Sequence, residues 1–213
     1  PPKTYSWRYC DMTLRQRAIY EDAKDKILMD VDPDGWETHT IYRLFTALQK
    51  VVSGIQLDRT PIFAAPSDNP RVWTLMETIE DLPADAKCIV WCKYTHEIEA
   101  VRQMLDPYGG VATIYGGVAP KIRDKELNRF REDARFLVAN KRVGAFGLNL
   151  QHCSYAIYYS NDFSWETRTQ SEDRIHRAGQ VNNCHIIDIV CSQSIDVRIQ
   201  QCLARKEQLV NSF

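Results

Sequence analysis

From residue 70 onward, short apolar runs alternate with stretches that read as helices, and this rhythm restricts the fold more than anything else in the chain. The runs are Cys88–Cys92, Ala112–Tyr115, Phe136–Ala139, Ala156–Tyr159 and His185–Val190. Several are continuous rather than alternating, the pattern of strands covered on both faces. Helix candidates fall between and around them, over 70–80, 95–106, 120–131, 165–177 and 194–211. Gly109-Gly110 stops the second helix, where a left-handed residue costs least. The alternation predicts an α/β fold, a parallel sheet sandwiched by helices. Ligands on such sheets collect at the carboxyl ends of the strands. The segments expected on that rim are Lys93-Tyr94-Thr95, Gly116-Gly117, Lys141–Leu150, Asn161–Ser164 and the helix bearing Arg174 and Arg177.

The front of the chain reads differently. Residues 1–65 are expected to be mostly helical. Thr13 can cap a helix running to about Met29, after which Asp32-Pro33-Asp34-Gly35 breaks the chain. Ile41, Leu44, Phe45, Leu48, Val51 and Val52 then recur at intervals of three and four, the signal of an amphipathic helix. Ala64–Pro70 looks like a boundary, with Asn69 able to cap the next helix and Pro70 suited to its first position. The expected organisation is a helical linker or protrusion over 1–65 and a sheet domain over 66–213.

With 213 residues, 44% of them hydrophobic, the chain can bury one sizeable core. The formal net charge of −1 excludes a global basic field, so nucleic-acid contact must rest on a local patch. No run approaches the roughly 18 apolar residues of a membrane span. Seven cysteines, an odd number without a Cys-x-x-Cys pair, suggest reduced and buried thiols in an intracellular protein, cytoplasmic or nuclear. The spacing around His152 and Cys153 is wrong for a structural zinc site, and no metal site is expected within the chain.

The most informative motif is Gln170-Ser171-Glu172-Asp173-Arg174-Ile175-His176-Arg177, followed by Ala178-Gly179-Gln180. Gln170, Asp173, Arg174 and Arg177 fall at i, i+3, i+4 and i+7, one stripe of a continuous helix. Two guanidiniums that cannot lose their protons suit a phosphate that gathers charge during a reaction. Taken alone, such residues are more often a solvated face. Three further segments weigh against that: Ile89–Thr95, Ile114–Arg123 and Leu137–Leu150, the last containing Gly144, Gly147, Asn149 and Leu150.

In order and spacing these segments resemble the C-terminal motor lobe of superfamily-two helicases, and more closely the SWI/SNF-type DNA translocases. That family's sixth motif, Gln-x-x-Asp-Arg-x-His-Arg-x-Gly-Gln, is matched by Gln170, Asp173, Arg174, His176, Arg177, Gly179 and Gln180. The end of its fifth motif, Gly-x-x-Gly-x-Asn-Leu, is matched by Gly144, Gly147, Asn149 and Leu150. Asp162-Phe163-Ser164-Trp165 fits the family's Asp-Trp-Asn-Pro turn more loosely, and Pro1-Pro2-Lys3 resembles its Leu-Pro-Pro-Lys linker entry.

The resemblance implies a RecA-like lobe that closes on ATP held by an N-terminal RecA-like lobe of the same polypeptide. Arg174 and Arg177 are then the catalytic arginines, with Gln170, Asp173, Gly147 and Asn149 supporting the ATP cleft. Lys93, Arg123, Lys141 and Arg142 become candidates for sequence-independent contact with double-stranded DNA. The chain contains no Gly-x-x-x-x-Gly-Lys-Ser/Thr loop and no Asp-Glu-x-His. ATP and Mg²⁺ are therefore expected only together with the other lobe, and these residues alone are expected to be inactive. Alternatives are the lobe of a strand-separating DNA or RNA helicase, or a non-catalytic module that binds nucleic acid or a partner. A stand-alone nucleotide-binding enzyme ranks last, because no Gly-x-Gly-x-x-Gly follows a strand.

Overall fold

In the computed structural model, which describes residues 1–29, 38–141 and 148–211, six parallel strands form a single sheet. They are β1 (Lys3–Cys10), β2 (Cys88–Cys92), β3 (Val111–Ile114), β4 (Phe136–Asn140), β5 (Tyr155–Tyr158) and β6 (Cys184–Cys191). Their order across the sheet is β1-β6-β5-β2-β4-β3, with every neighbour parallel. The helices are α1 (Leu14–Met29), α2 (Thr38–Val52), α3 (Pro70–Glu80), α4 (Thr95–Leu105), α5 (Pro120–Glu132), α6 (Trp165–Glu172) and α7 (Ile195–Asn211). None of the described helices is long and apolar enough to cross a membrane.

The continuous apolar runs are explained by two cores, one on each face of the sheet. Along β2, Cys88, Val90 and Cys92 enter one core while Ile89 and Trp91 enter the other. The first core collects α1, α2, α3, α4 and α7 through residues such as Tyr20, Val51, Leu75, Ile98 and Ile199. The second is covered by α5 through Phe130 and by the segment after α6 through Ile175. A strand that buries both faces has no position left for a polar residue, so alternation disappears from its sequence.

Local signals held where local forces decide. The Thr13 hydroxyl accepts from Gln16 N at 3.1 Å at the start of α1. Asn69 Oδ1 accepts from Arg71 N at 3.0 Å, with Pro70 opening α3. Gly109 and Gly110 take φ values of 136° and 74° after α4. The turn expected at Asp32–Gly35 lies outside the described residues.

Two segments differ from the sequence reading. The front of the chain is helical over α1 and α2 but not over Lys3–Cys10, which forms an edge strand registered along β6 from Lys3↔Cys184 to Cys10↔Cys191. The first residues therefore belong to the same sheet as residues beyond 66. Further on, α6 ends at Glu172 rather than continuing to Arg177. Leu150 N donates to the Arg174 carbonyl at 3.1 Å, the oxygen that a continuing helix would offer to residue 178. Tighter turns come next, with Arg174 N to Ser171 O and Ile175 N to Glu172 O, and they aim Ile175 into the second core.

Candidate functional site

α6 begins on the carboxyl rim, where Ser164 Oγ accepts from Thr167 N at 3.2 Å. Its eight residues carry the chain back by about 12 Å. The segment Asp173–Gln180 therefore sits at the opposite, amino end of the strands. Gln180 Nε2 donates to Cys153 O at 3.0 Å, and His176 Nε2 lies 2.8 Å from Pro1 O. Cys184 Sγ approaches Ile175 O. Cys153 and Pro1 just precede β5 and β1, and Cys184 opens β6. The expectation of one shared rim is thus corrected. A crossover between parallel strands must return the chain to its starting end, and Arg174 and Arg177 lie at the end of that return.

The four-residue stripe is also broken. Asp173 lies 3.8 Å from Lys3 Nζ, and Gln170 Nε2 donates to Glu166 Oε1 at 3.1 Å. Among the described residues their partners are thus Lys3 and Glu166. Arg174 is half-buried, and its Nε–H is sealed from solvent with no acceptor among the described residues. Arg177 is exposed. Gly179 has φ 97°, and an added Cβ there would meet Gln151 Oε1 at 2.7 Å, so this motif position calls for glycine. Asn149 is exposed, and its Oδ1 accepts from Gln151 N at 3.3 Å in the turn that enters β5. Gly147 and Arg142 lie outside the described residues.

The carboxyl rim gathers Lys93 after β2, Arg123 beyond β3, and Lys141 after β4. Lys93 Nζ donates to Gln49 Oε1 and stands over the Tyr94 ring. Arg123 is half-buried, with Nη2 donating to Val118 O at 3.3 Å. Lys141 departs from its expected role. It is only 3% exposed, and Nζ donates inward to Asn161 Oδ1 at 2.9 Å above the Tyr158 ring. Burial pulls its ammonium down to about 8, with Asp162 opposing the shift and Arg168 adding to it. Its Nζ is committed to Asn161 in this arrangement. Glu97, also buried, ties the rim together by accepting from Lys93 N and Tyr94 N at 3.0 Å and from Ser160 Oγ at 2.6 Å.

A polar network between the rims was not anticipated. Arg168 holds Asp188 with both terminal nitrogens, at 2.5 and 2.9 Å, and Glu172 through Nε at 2.6 Å. Asn161 joins it, donating to Asp188 at 2.6 Å and accepting from Lys141 and Arg168. On the amino side Glu172 accepts from Lys3 Nζ at 3.0 Å and Tyr5 Oη at 2.9 Å. On the carboxyl side Gln49 Nε2 donates to Asn161 O at 2.8 Å, while its other atom accepts from Lys93. Hydrogen bonds thus run from Lys93 on one rim to Lys3, beside Asp173, on the other. One sequence signal pointed here: Asp188 interrupts the otherwise apolar run Ile186-Ile187-Asp188-Ile189-Val190. A carboxylate inside a buried strand requires a partner.

A parallel sheet with helices on both faces, with an arginine-bearing segment after the β5–β6 crossover helix, is the frame that carries these residues. Residues 71–179 match the family model described as Helicase conserved C-terminal domain, and the chain belongs to that family. Among curated proteins it is 30% identical over 129 residues to Helicase SWR1 of Saccharomyces cerevisiae, covering 59% of this chain and 8% of that protein. It is 25% identical over 195 residues to ATP-dependent helicase fft2 of Schizosaccharomyces pombe, covering 88% of this chain and 14% of that one. The chain thus spans a small part of the length of these relatives. Its fold is that of the Sulfolobus solfataricus SWI2/SNF2 ATPase core domain, with TM-score 0.82 at 22% identity over 100% of this chain and 45% of the other. It also superposes on the C-terminal part of the Fun30 ATPase domain, with TM-score 0.79 at 15% identity over 95% and 89% of the two chains.

Proposed function

We propose that this chain is the second motor lobe of an ATP-dependent double-stranded DNA translocase. In this reading its amino rim presents Arg174 and Arg177 to ATP held by an N-terminal RecA-like lobe, and its carboxyl rim follows DNA phosphates. The observation that carries it is the pair at the amino rim: a half-buried Arg174, three residues from the exposed Arg177. Guanidiniums at such a surface can give charge-assisted hydrogen bonds to an anionic oxygen docked there. Bound ATP with Mg²⁺ supplies the phosphoryl group. The guanidiniums of Arg174 and Arg177 would donate to its oxygens and oppose the charge that gathers on them. One arginine in that position is worth ~10³–10⁵ in rate, or roughly 4–7 kcal/mol.

On the other rim, Lys93 follows β2 and Arg123 lies in α5 beyond β3, so both are candidates for contact with a phosphate backbone. A solved relative described as the Sulfolobus solfataricus SWI2/SNF2 ATPase core in complex with dsDNA, with TM-score 0.81 at 22% identity over 98% of this chain and 45% of that one, favours DNA as the track. The network through Gln49, Asn161, Arg168 and Glu172 supports mechanical coupling of the two rims. The chain has no phosphate-cradling Gly-x-x-x-x-Gly-Lys-Ser/Thr loop, and we infer that these 213 residues do not turn over ATP alone. The free cysteines fit an intracellular setting.

The test is Arg177→Ala and Arg174→Ala in the full-length protein. DNA-stimulated turnover should fall by ~10³ or more while DNA affinity stays within a few-fold. Turnover within tenfold of the unmodified protein would remove the arginine assignment. DNA-stimulated hydrolysis by these residues alone would remove the requirement for a second lobe.

A further inference from the structure

Cys10 and Cys191 are registered partners at the ends of β1 and β6. Opposed residues on neighbouring parallel strands sit about 4.8 Å apart and point to the same face. That separation lies inside the ~4.4–6.8 Å Cα range a disulfide can span. Both thiols are free and buried within one core. The backbone is fixed around them as well, with Ser192 N donating to Cys10 O at 2.8 Å.

A buried cation stands beside the pair. Arg71 is 2% exposed; Nη1 donates to Tyr159 O at 3.0 Å, and Nη2 pairs with Asp196. The same Asp196 oxygen accepts from Cys191 N at 3.0 Å. Arg71 Nε–H is sealed in and has no acceptor among the described residues. A guanidinium with an unmet donor next to two thiols is an environment that a thiolate would satisfy. The neighbouring Cys10 thiol holds Cys191 below the usual thiol range against the effect of burial, with Arg71 helping, and Cys191 in turn raises Cys10.

We propose that Cys10 and Cys191 form a redox-active dithiol, a modification site for hydroperoxides that closes into a staple between β1 and β6. The Cys191 thiolate attacks one peroxide oxygen; the O–O bond breaks, hydroxide leaves and Cys191 becomes a sulfenic acid. Cys10 then loses its proton and attacks the Cys191 sulfur. The S–S bond forms, the S–O bond breaks, and a second hydroxide leaves. With the protons released by both thiols, the balance is two thiols and one hydrogen peroxide giving one disulfide and two waters. β1 is an edge strand paired with β6, so the staple ties the first strand to the strand that leads into α7.

The test exposes the intact protein to hydrogen peroxide at neutral pH, blocks the remaining thiols, and maps the peptides by mass spectrometry. The expected result is one linked pair containing Cys10 and Cys191, lighter by two hydrogens, with a thermal midpoint raised by several degrees and restored by dithiothreitol. Cys10→Ser and Cys191→Ser should each abolish both changes. Should either variant fail to fold, the peptide map of the unmodified protein still decides. Cys10 and Cys191 recovered unlinked after the half-exposed Cys202 has oxidised, or either one linked to Cys202, would overturn the proposal.

Discussion

Lys141 keeps an ammonium inside the protein at the base of the carboxyl rim, and the cost of doing so can be worked out. Its ordinary value of 10.5 falls to about 8 on folding, chiefly through burial. The folded-state value is the lower one, so folding disfavours the charged form. The cost is fully present below about pH 8, fades between about 8 and about 10.5, and is absent above. The fall from 10.5 to about 8 corresponds to ~3 kcal/mol at neutral pH. Lys141→Met keeps the volume of the side chain and removes the charge. Asn161 Oδ1 is not orphaned by the change, because Arg168 Nη1 still donates to it at 3.1 Å. The loss of the cation over the Tyr158 ring returns about 1 kcal/mol. The net expectation is a protein ~1–3 kcal/mol more stable at neutral pH, with the advantage shrinking toward pH 10. Urea unfolding of both forms at about pH 7 and about pH 10 measures it. A variant less stable than the parent at neutral pH, or a difference that ignores pH across that window, would show that the ammonium is not desolvated as described.

Two further perturbations probe the rest of the site. Arg168→Leu leaves Asp188 and Glu172 buried without their main cation, and should cost about 3–5 kcal/mol by denaturant unfolding; a loss below about 1 kcal/mol would mean that the network is hydrated in solution. Lys93→Ala and Arg123→Ala in the full-length protein should each lower DNA affinity at every sequence and reduce the salt slope by about one ion, whereas Lys141→Met should leave that slope unchanged; a slope that responds to Lys141 would restore it as a phosphate contact.

The strands were legible because burial on both faces writes itself as an unbroken apolar run, and Cys88–Cys92 needs no knowledge of its neighbours to be read. Asn69, Pro70 and Thr13 were legible because a cap is made by atoms two or three residues away. The order of the motifs, from Lys93 to Gln180, marked the family for a similar reason, since the spacing is set along the chain. The features that stayed hidden depend on partners far away in sequence. Tyr5, Trp7 and Tyr9 alternate as a strand should, yet only pairing with β6, some 180 residues on, makes them one. Whether α6 runs past Glu172 was settled when Leu150 took the Arg174 carbonyl. Whether Lys141 points to solvent or inward was settled by Asn161 and Tyr158. The rim on which the arginines lie is set by the length of a crossover helix and the direction of a parallel sheet. Sequence determined the elements and the chemistry they carry, because those rest on short-range forces. The tertiary structure alone decided which charges face each other and which face out, because a charge inside a protein is stable only beside a partner that the fold, not the chain order, brings to it.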